Sequence, residues 1–173
     1  MSDVDFYDRR LFDLAYAEGS VGLLVDDETR AALRAILLEL WEGKATHGQM
    51  KKALRPLVEN TSWEWPEAVV AMRQQGERVA EARDPVEQAV FLSEEIMMRA
   101  HHHARRGQIN ATLAGSLWAY KGIQVDACLN TSKKTAPCGW RDREKLKIND
   151  ETLARIPPCK ILGCRCAWLL IGD

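Results

Sequence analysis

The chain has 173 residues, of which 46% are hydrophobic and 28% charged, and its formal net charge at pH 7 is -1. This composition is typical of a globular protein, and the near-neutral balance excludes a chain whose whole surface attracts nucleic acid. No apolar run approaches the roughly 20 residues of a membrane helix, and the acidic first residues differ from a secretory leader. We therefore expect no membrane contact and a reducing compartment during folding.

Apolar residues at helical spacing dominate the first part of the chain. The spacing predicts a first amphipathic helix over residues 3–17. The second predicted helix is capped by Asp26 or Asp27 and ends at Gly43, because Asp caps helix starts and Gly ends helices.

Three further helix starts follow. Thr46 and Gln49 match a capping box and predict a third helix. A fourth helix is predicted to begin at Thr61. The strongest signal is residues 84–87, Asp-Pro-Val-Glu, which predict the start of a long helix that ends at Gly122.

After Gly122 the apolar period changes from helical to alternating, which predicts a strand that begins at Ile123. A second strand is predicted over residues 166–171, and we expect the two to pair antiparallel across a polar loop. The predicted fold is mainly α: a helical body with a long helix, residues 1–122, followed by a small cysteine-tethered β-hairpin appendage, residues 123–173.

All five cysteines lie after residue 127, in the predicted appendage. Four thiolates suit tetrahedral zinc, and such a site replaces a core in a small β structure. The candidate ligands are Cys138, Cys159, Cys164 and Cys166, with Cys128 as an alternative. Buried free thiols or disulfides, including a bridge between the two strands from Cys128 to Cys166, remain open alternatives.

Basic residues concentrate in the same region, around Trp140. Charge and stacking there are compatible with contact to nucleic-acid phosphates and an exposed base, whereas the sequence pattern alone favours a solvated loop that keeps the protein soluble. The candidate nucleic-acid-binding residues are Lys133, Lys134, Arg141, Arg143 and Lys145.

Catalytic patterns are missing from the sequence. His101, His102 and His103 are consecutive in the predicted long helix, where neighbours point about 100° apart and cannot all reach one metal. We expect them to be solvated or at an interface. No nucleophile and base, phosphate-binding glycine loop or metalloprotease helix is indicated, so we expect no enzyme.

The order of these features resembles the phage minor head proteins of the Mu F type, also called head morphogenesis proteins. That family shows two helices joined by a Gly-containing turn, a helix with Arg and Asn that leads to an aromatic residue and Gly-Ile, a strand, a cysteine loop, and a closing Pro-Pro and Cys-Arg-Cys. The matching residues here are Gly43 within Ile36–Thr46, Met98-Arg99-Ala100, Asn110, Tyr120, Gly122-Ile123, Cys138, Pro157-Pro158 and Cys164-Arg165-Cys166.

Two departures from the family pattern concern the metal. The loop lacks the Cys-x-x-Cys that the family often has, since Thr135 precedes Cys138 by three residues. Lys160 and Ile161 stand where a histidine often precedes the closing motif. The resemblance thus implies that Cys128 or Cys159 has taken over a ligand role, or that the metal is gone.

The resemblance implies a structural virion protein, a minor head or neck component that binds portal or capsid protein. It implies a place in the virion, and in the host cytoplasm during assembly, with DNA packaging or ejection as a further role. The rival hypothesis is an intracellular zinc-binding regulator that binds nucleic acid. A thiol or zinc enzyme is a third alternative.

Overall fold

The computed structural model describes residues 7–65, 85–116, 120–126, 143–149, 151–152 and 167–172. The chain forms two compact units. We call Tyr7–Ala100 the helical unit, and we call His101–Asp173, which holds all the described strands, the sheet unit. The described residues are mainly helical with a small antiparallel sheet, and the predicted fold class is thereby confirmed.

Four named helices lie in the described ranges, and their bounds follow the apolar pattern. They are α1, Arg9–Gly19; α2, Asp27–Trp41; α3, His47–Glu59; and α4, Pro85–Ser116. The 32-residue α4 contributes its first half to the helical unit and its second half to the sheet unit. None of the helices in these ranges combines the length and apolarity that crossing a bilayer requires.

Side-chain caps fix the starts of α2 and α3. Asp26, rather than Asp27, accepts a hydrogen bond of 2.7 Å from the backbone N–H of Thr29. Thr46 and Gln49 form the predicted capping box, in which each side chain bonds the other residue's backbone N–H. These contacts satisfy amide groups that have no partner inside the helix.

The predicted helix start at Thr61 is wrong for the described residues 61–65. The backbone of Glu64 exchanges two 3.0 Å hydrogen bonds with Leu24 in an isolated antiparallel bridge. Trp63 and Trp65 stack with ring centroids 5.1 Å apart. Alternating aromatic residues suit extended backbone, and here the bridge overrides the capping signal.

The core of the helical unit is built from apolar side chains of all four helices. α1 lies so close to α4 that Gly19 packs directly on Ile96. The largest fully buried side chains of this unit are Phe12, Leu23, Leu33, Leu37, Trp41, Met50, Leu54, Leu92 and Ile96.

A buried ion pair lies beside the Gly19 contact. Arg99 Nε is 3.1 Å from Glu95 Oε1 on the same helix, and Arg99 Nη1 is 3.8 Å from Glu18 Oε2 on α1. The side chain of Glu95 is only 4% exposed. Arg99, one of the residues that carry the family resemblance, thus has a structural role between α1 and α4.

Gly19→Ala should destabilise the helical unit by about 1–2 kcal/mol, because overpacking a filled contact displaces its neighbours. The added Cβ would stand 2.6 Å from Cγ1 of Ile96. Gly115→Ala is the matched control, since no heavy atom lies within 4 Å of its added Cβ. We expect the control to be neutral or stabilising by up to about 1 kcal/mol. Urea unfolding followed by circular dichroism measures both, and equal stability of the two variants would contradict the packing.

The sheet has three antiparallel strands in the order β2-β1-β3. They are β1, Tyr120–Asp126; β2, Lys145–Leu146; and β3, Ala167–Gly172. The predicted antiparallel pairing of β1 with β3 is confirmed. The short β2 was not predicted, because it falls within the segment interpreted as a polar loop.

The core of the sheet unit lies between the sheet and the second half of α4. Ile109 and Leu113 of α4 form a buried cluster with Ile123, Val125 and Trp168. The guanidinium of Arg105 donates two hydrogen bonds, of 3.2 and 3.0 Å, to the backbone oxygen of Trp168. Packing and this charged donor together hold β3 against the helix.

Candidate nucleic-acid interface

The segment that contains β2 alternates between exposed basic residues and half-buried residues, of which Leu146 and Ile148 are apolar and Glu144 is acidic. Arg143, Lys145 and Lys147 are exposed, whereas the intervening residues are half-buried. Leu146 and Ile148 pack against the core of the sheet unit. Because alternate residues of an extended chain point to opposite sides, this packing directs Lys145 and Lys147 outward, and Arg143 precedes them as an exposed residue. We call Arg143, Lys145 and Lys147 the basic row.

A β-bulge begins the basic row. The backbone N–H of Arg143 donates to the oxygen of Val125 at 2.7 Å, and the N–H of Val125 donates to the oxygen of Glu144 at 2.9 Å. Two consecutive residues therefore oppose the single residue Val125. Arg143 has a φ of 57°, in the left-handed region that this position of a bulge requires.

Arginine is an unfavourable residue for this backbone conformation. The left-handed region costs a residue with a Cβ about 1–2 kcal/mol, and glycine is the usual solution. Among the described residues, Arg143 alone combines a side chain with a positive φ. Bulges at sheet edges commonly redirect a side chain, and this bulge precedes the outward cations of β2.

The basic row lies at an edge of the described sheet, since β2 pairs with β1 on one side only. Within the described residues, none of its three side chains forms an ion pair. Lys145 lies in β2, and Arg143 and Lys147 lie on either side of it. The row thus presents three positive charges against the one negative charge of Glu144, and such a surplus attracts a polyanion.

The outward face of the sheet continues from the basic row across β1 to β3. Lys145 pairs with Gln124, and Gln124 pairs in turn with Leu169. Leu169 is 45% exposed. The side chains of Lys145, Gln124 and Leu169 thus lie side by side across the three strands.

The structure describes only part of the predicted nucleic-acid site. Arg143 and Lys145 are both exposed and near each other in sequence on the basic row, while Lys133, Lys134 and Arg141 lie outside the described residues. Lys147 was not in the predicted set. The alternation of Lys145 and Lys147 with the apolar residues Leu146 and Ile148 was the signal that would have found it.

The predicted zinc ligands Cys138, Cys159, Cys164 and Cys166, and the alternative Cys128, all lie outside the described residues. In the ranges that the structure does describe, no group of three or more His, Cys, Asp or Glu side chains is arranged to hold a metal ion. Zinc binding therefore stays a prediction from the sequence.

We expect protein purified under reductant to contain about one zinc ion per chain, because four thiolates complete a structural site. Elemental analysis measures the metal, and Cys164→Ser should release it. Parallel Cys128→Ser and Cys138→Ser variants separate the two ligand sets, since only the true ligand should affect zinc content. Protein without metal and without free thiols would contradict the zinc site and indicate disulfides.

The three consecutive histidines of α4 are not a solvated cluster. His102 is only 8% exposed, whereas His101 and His103 are half-buried. Burial lowers the pKa of His101 below its ordinary value, so this imidazole is mainly neutral at pH 7. The expectation was a solvated or an interface position, and the burial of His102 excludes the solvated position for this residue.

Comparison of the chain with models of protein families, with curated proteins and with solved structures finds no match.

Proposed function

We propose that the chain is a structural protein of a phage head, a minor head or neck component that acts by binding portal or capsid protein. It has no catalytic role in this proposal. The resemblance to head morphogenesis proteins of the Mu F type suggested the function, and the arrangement of β1 and β3 supports it.

The pairing of β1 with β3 is the observation that carries the proposal. The strand at Gly122-Ile123 and the closing Cys-Arg-Cys are separate elements of the resemblance, about forty residues apart in the sequence. The register pairs Asp126 with Ala167, the residue that directly follows Cys166. The ladder thus joins the strand that contains Gly122 and Ile123 to the strand that follows the closing motif, so the two elements of the resemblance belong to one sheet.

Exposed apolar side chains on the helical unit supply surface for protein contacts. The exposed fractions are 56% for Tyr7, 47% for Leu14, 72% for Val21 and 58% for Leu24. Single exposed apolar residues are common on protein surfaces, but Val21 and Leu24 lie within four residues of each other in the connection between α1 and α2. Such residues suit a subunit that becomes part of a larger assembly.

Co-expression with the portal and capsid proteins of the same genome tests the proposal. We expect the tagged chain to retain one of them through a wash at about 1 M salt, because apolar contacts are not screened as charges are. A terminase subunit from the same genome is the control bait. Recovery of the chain with neither portal nor capsid protein would contradict the proposal.

The alternative function is an intracellular zinc-binding regulator that binds nucleic acid, and the exposed basic row favours it. A regulator would bind one duplex sequence far more tightly than others, typically by a factor of 10³ or more. The assembly protein should instead bind duplexes of unrelated sequence equally and weakly. Competition between unrelated duplexes at fixed salt therefore separates the two functions.

A further inference from the structure

We infer that the basic row is a surface that contacts the phosphate backbone of nucleic acid without reading its sequence. The inference deepens the proposed function, because DNA is the polyanion that a head protein meets, and it rests on that function only for the biological setting. The contact itself is a property of the purified chain.

The left-handed Arg143 is the first step of the argument. A charge that serves only solubility is as effective at any other exposed position. Glycine would adopt the backbone of the bulge without strain, so solubility does not explain an arginine here. Here the chain holds an exposed arginine at a φ of 57°, followed two and four residues later by exposed lysines. Strain of this kind is found where a side chain has a task at that position.

The extended part of the basic row fits a repeating row of phosphates. Lys145 and Lys147 are alternate residues, and alternate residues of an extended chain are about 6.6–6.8 Å apart. Neighbouring phosphates of one DNA strand are separated by a similar distance, because each nucleotide advances about 3.4 Å along the axis and also turns around it. The two lysines can therefore contact neighbouring phosphates, and Arg143 at the bulge supplies a third cation beside them.

The composition around the basic row favours a phosphate backbone over other anionic partners. Anionic membranes are bound by clusters of about four to eight basic residues or by an apolar helix face, whereas this row has three cations in and beside β2. The partner across the sheet from Lys145 is Gln124, an amide that suits a hydrated, polar contact. Contacts to phosphate give affinity and position, and they carry no sequence information.

The test is the salt dependence of binding to two duplex DNAs of unrelated sequence, measured by fluorescence anisotropy between about 50 and 200 mM salt. The triple variant R143Q/K145Q/K147Q should lower the slope of log K against log salt by about 2.7, since each phosphate contact contributes about 0.9. The decrease in this slope should be the same for the two DNA sequences.

A matched control separates local from global charge. K44Q/K52Q/R55Q removes the same total charge from exposed positions of the helical unit. We expect its slope to stay at the value of the unchanged protein. A control that loses as much binding as the triple variant would overturn the inference.

Arg143→Gly gives a second, independent readout. Glycine relieves the left-handed backbone, so Tm should rise by a few degrees, while the loss of one cation lowers the salt slope by about 0.9. Stability and binding should therefore change in opposite directions. If Arg143→Gly leaves binding unchanged, the arginine has no phosphate contact.

Three further outcomes would overturn the inference: no DNA binding by the unchanged protein at 50 mM salt, a triple variant with an unchanged slope, or tighter binding to polyglutamate or anionic vesicles than to DNA. Failure of the proposed function would give a different result. If the unchanged chain is absent from head particles and the triple variant still shows weaker DNA binding, the phosphate surface is supported and only the role in the head is contradicted.

Discussion

Trp168→Ala should destabilise the sheet unit by about 3–5 kcal/mol, the range found when a large buried aromatic side chain is removed from a core. Trp168 is 1% exposed and packs with Ile109, Leu113, Ile123 and Val125. Alanine removes the side chain that fills the space between β3 and α4, and the surrounding residues can close the cavity only in part.

Leu169→Ala is the control for this prediction, because the two residues are adjacent in β3 and point to opposite faces. Leu169 is 45% exposed, so its truncation should change stability by less than about 1 kcal/mol. Denaturant unfolding followed by the amide exchange of β1 and β3 measures both variants. A loss of less than 1 kcal/mol for Trp168→Ala would contradict the position of this core.

Gly122→Val should destabilise the sheet unit by about 3 kcal/mol and detach β2 from β1. A Cβ at residue 122 would stand 2.6 Å from the backbone oxygen of Leu146, a separation that real Cβ atoms do not adopt. A backbone oxygen cannot turn aside as a flexible side chain does, so the strands must separate. Separation also exposes Leu146 and breaks the pairing that supports the basic row.

Gln124→Val provides the comparison, since it introduces the same β-branched side chain two residues along β1, on the partly exposed outward face. Valine suits a strand, and we expect a change within about 0.5 kcal/mol. Amide exchange should show rapid exchange at Arg143 for Gly122→Val only, because the N–H of Arg143 donates to Val125 across the two strands. Intact protection of that amide in Gly122→Val would refute the close contact.

The elements that the sequence predicts well are those with strong local signals. The capping box of Thr46 and Gln49, and the start of α4 at Pro85, depend on residues within one helical turn. A strand was predicted from Ile123 by its alternating period, and its partner β3 from a compact apolar run. The predicted end of the long helix at Gly122 is wrong, because β1 already begins at Tyr120 and its pairing with β3 includes Tyr120 and Gly122. Local chemistry decides these elements without help from distant contacts.

The elements that the sequence does not predict depend on contacts between distant residues. β2 has two residues, too few for a periodic signal, and Arg143 is not a residue that indicates a bulge. Residues 61–65 resemble a helix start, but the bridge between Glu64 and Leu24 holds them extended. Both cases are decided by backbone pairing across the fold.

Only part of the candidate site could be predicted from the sequence, for the same reason. Arg143 and Lys145 follow from the concentration of positive charge in the sequence, whereas Lys147 is recognised by its place in the exposed alternation. Charge composition identifies the region. The burial of Leu146 and Ile148 then determines which of its cations face outward.

The proposed place of this chain in the phage head can be measured by quantitative mass spectrometry of DNA-filled heads, purified through nuclease treatment and a high-salt wash. We expect the chain to remain in the particles at a constant ratio to portal protein. If the chain is absent from washed heads and is recovered on free DNA in the host cell, it is not a component of the head.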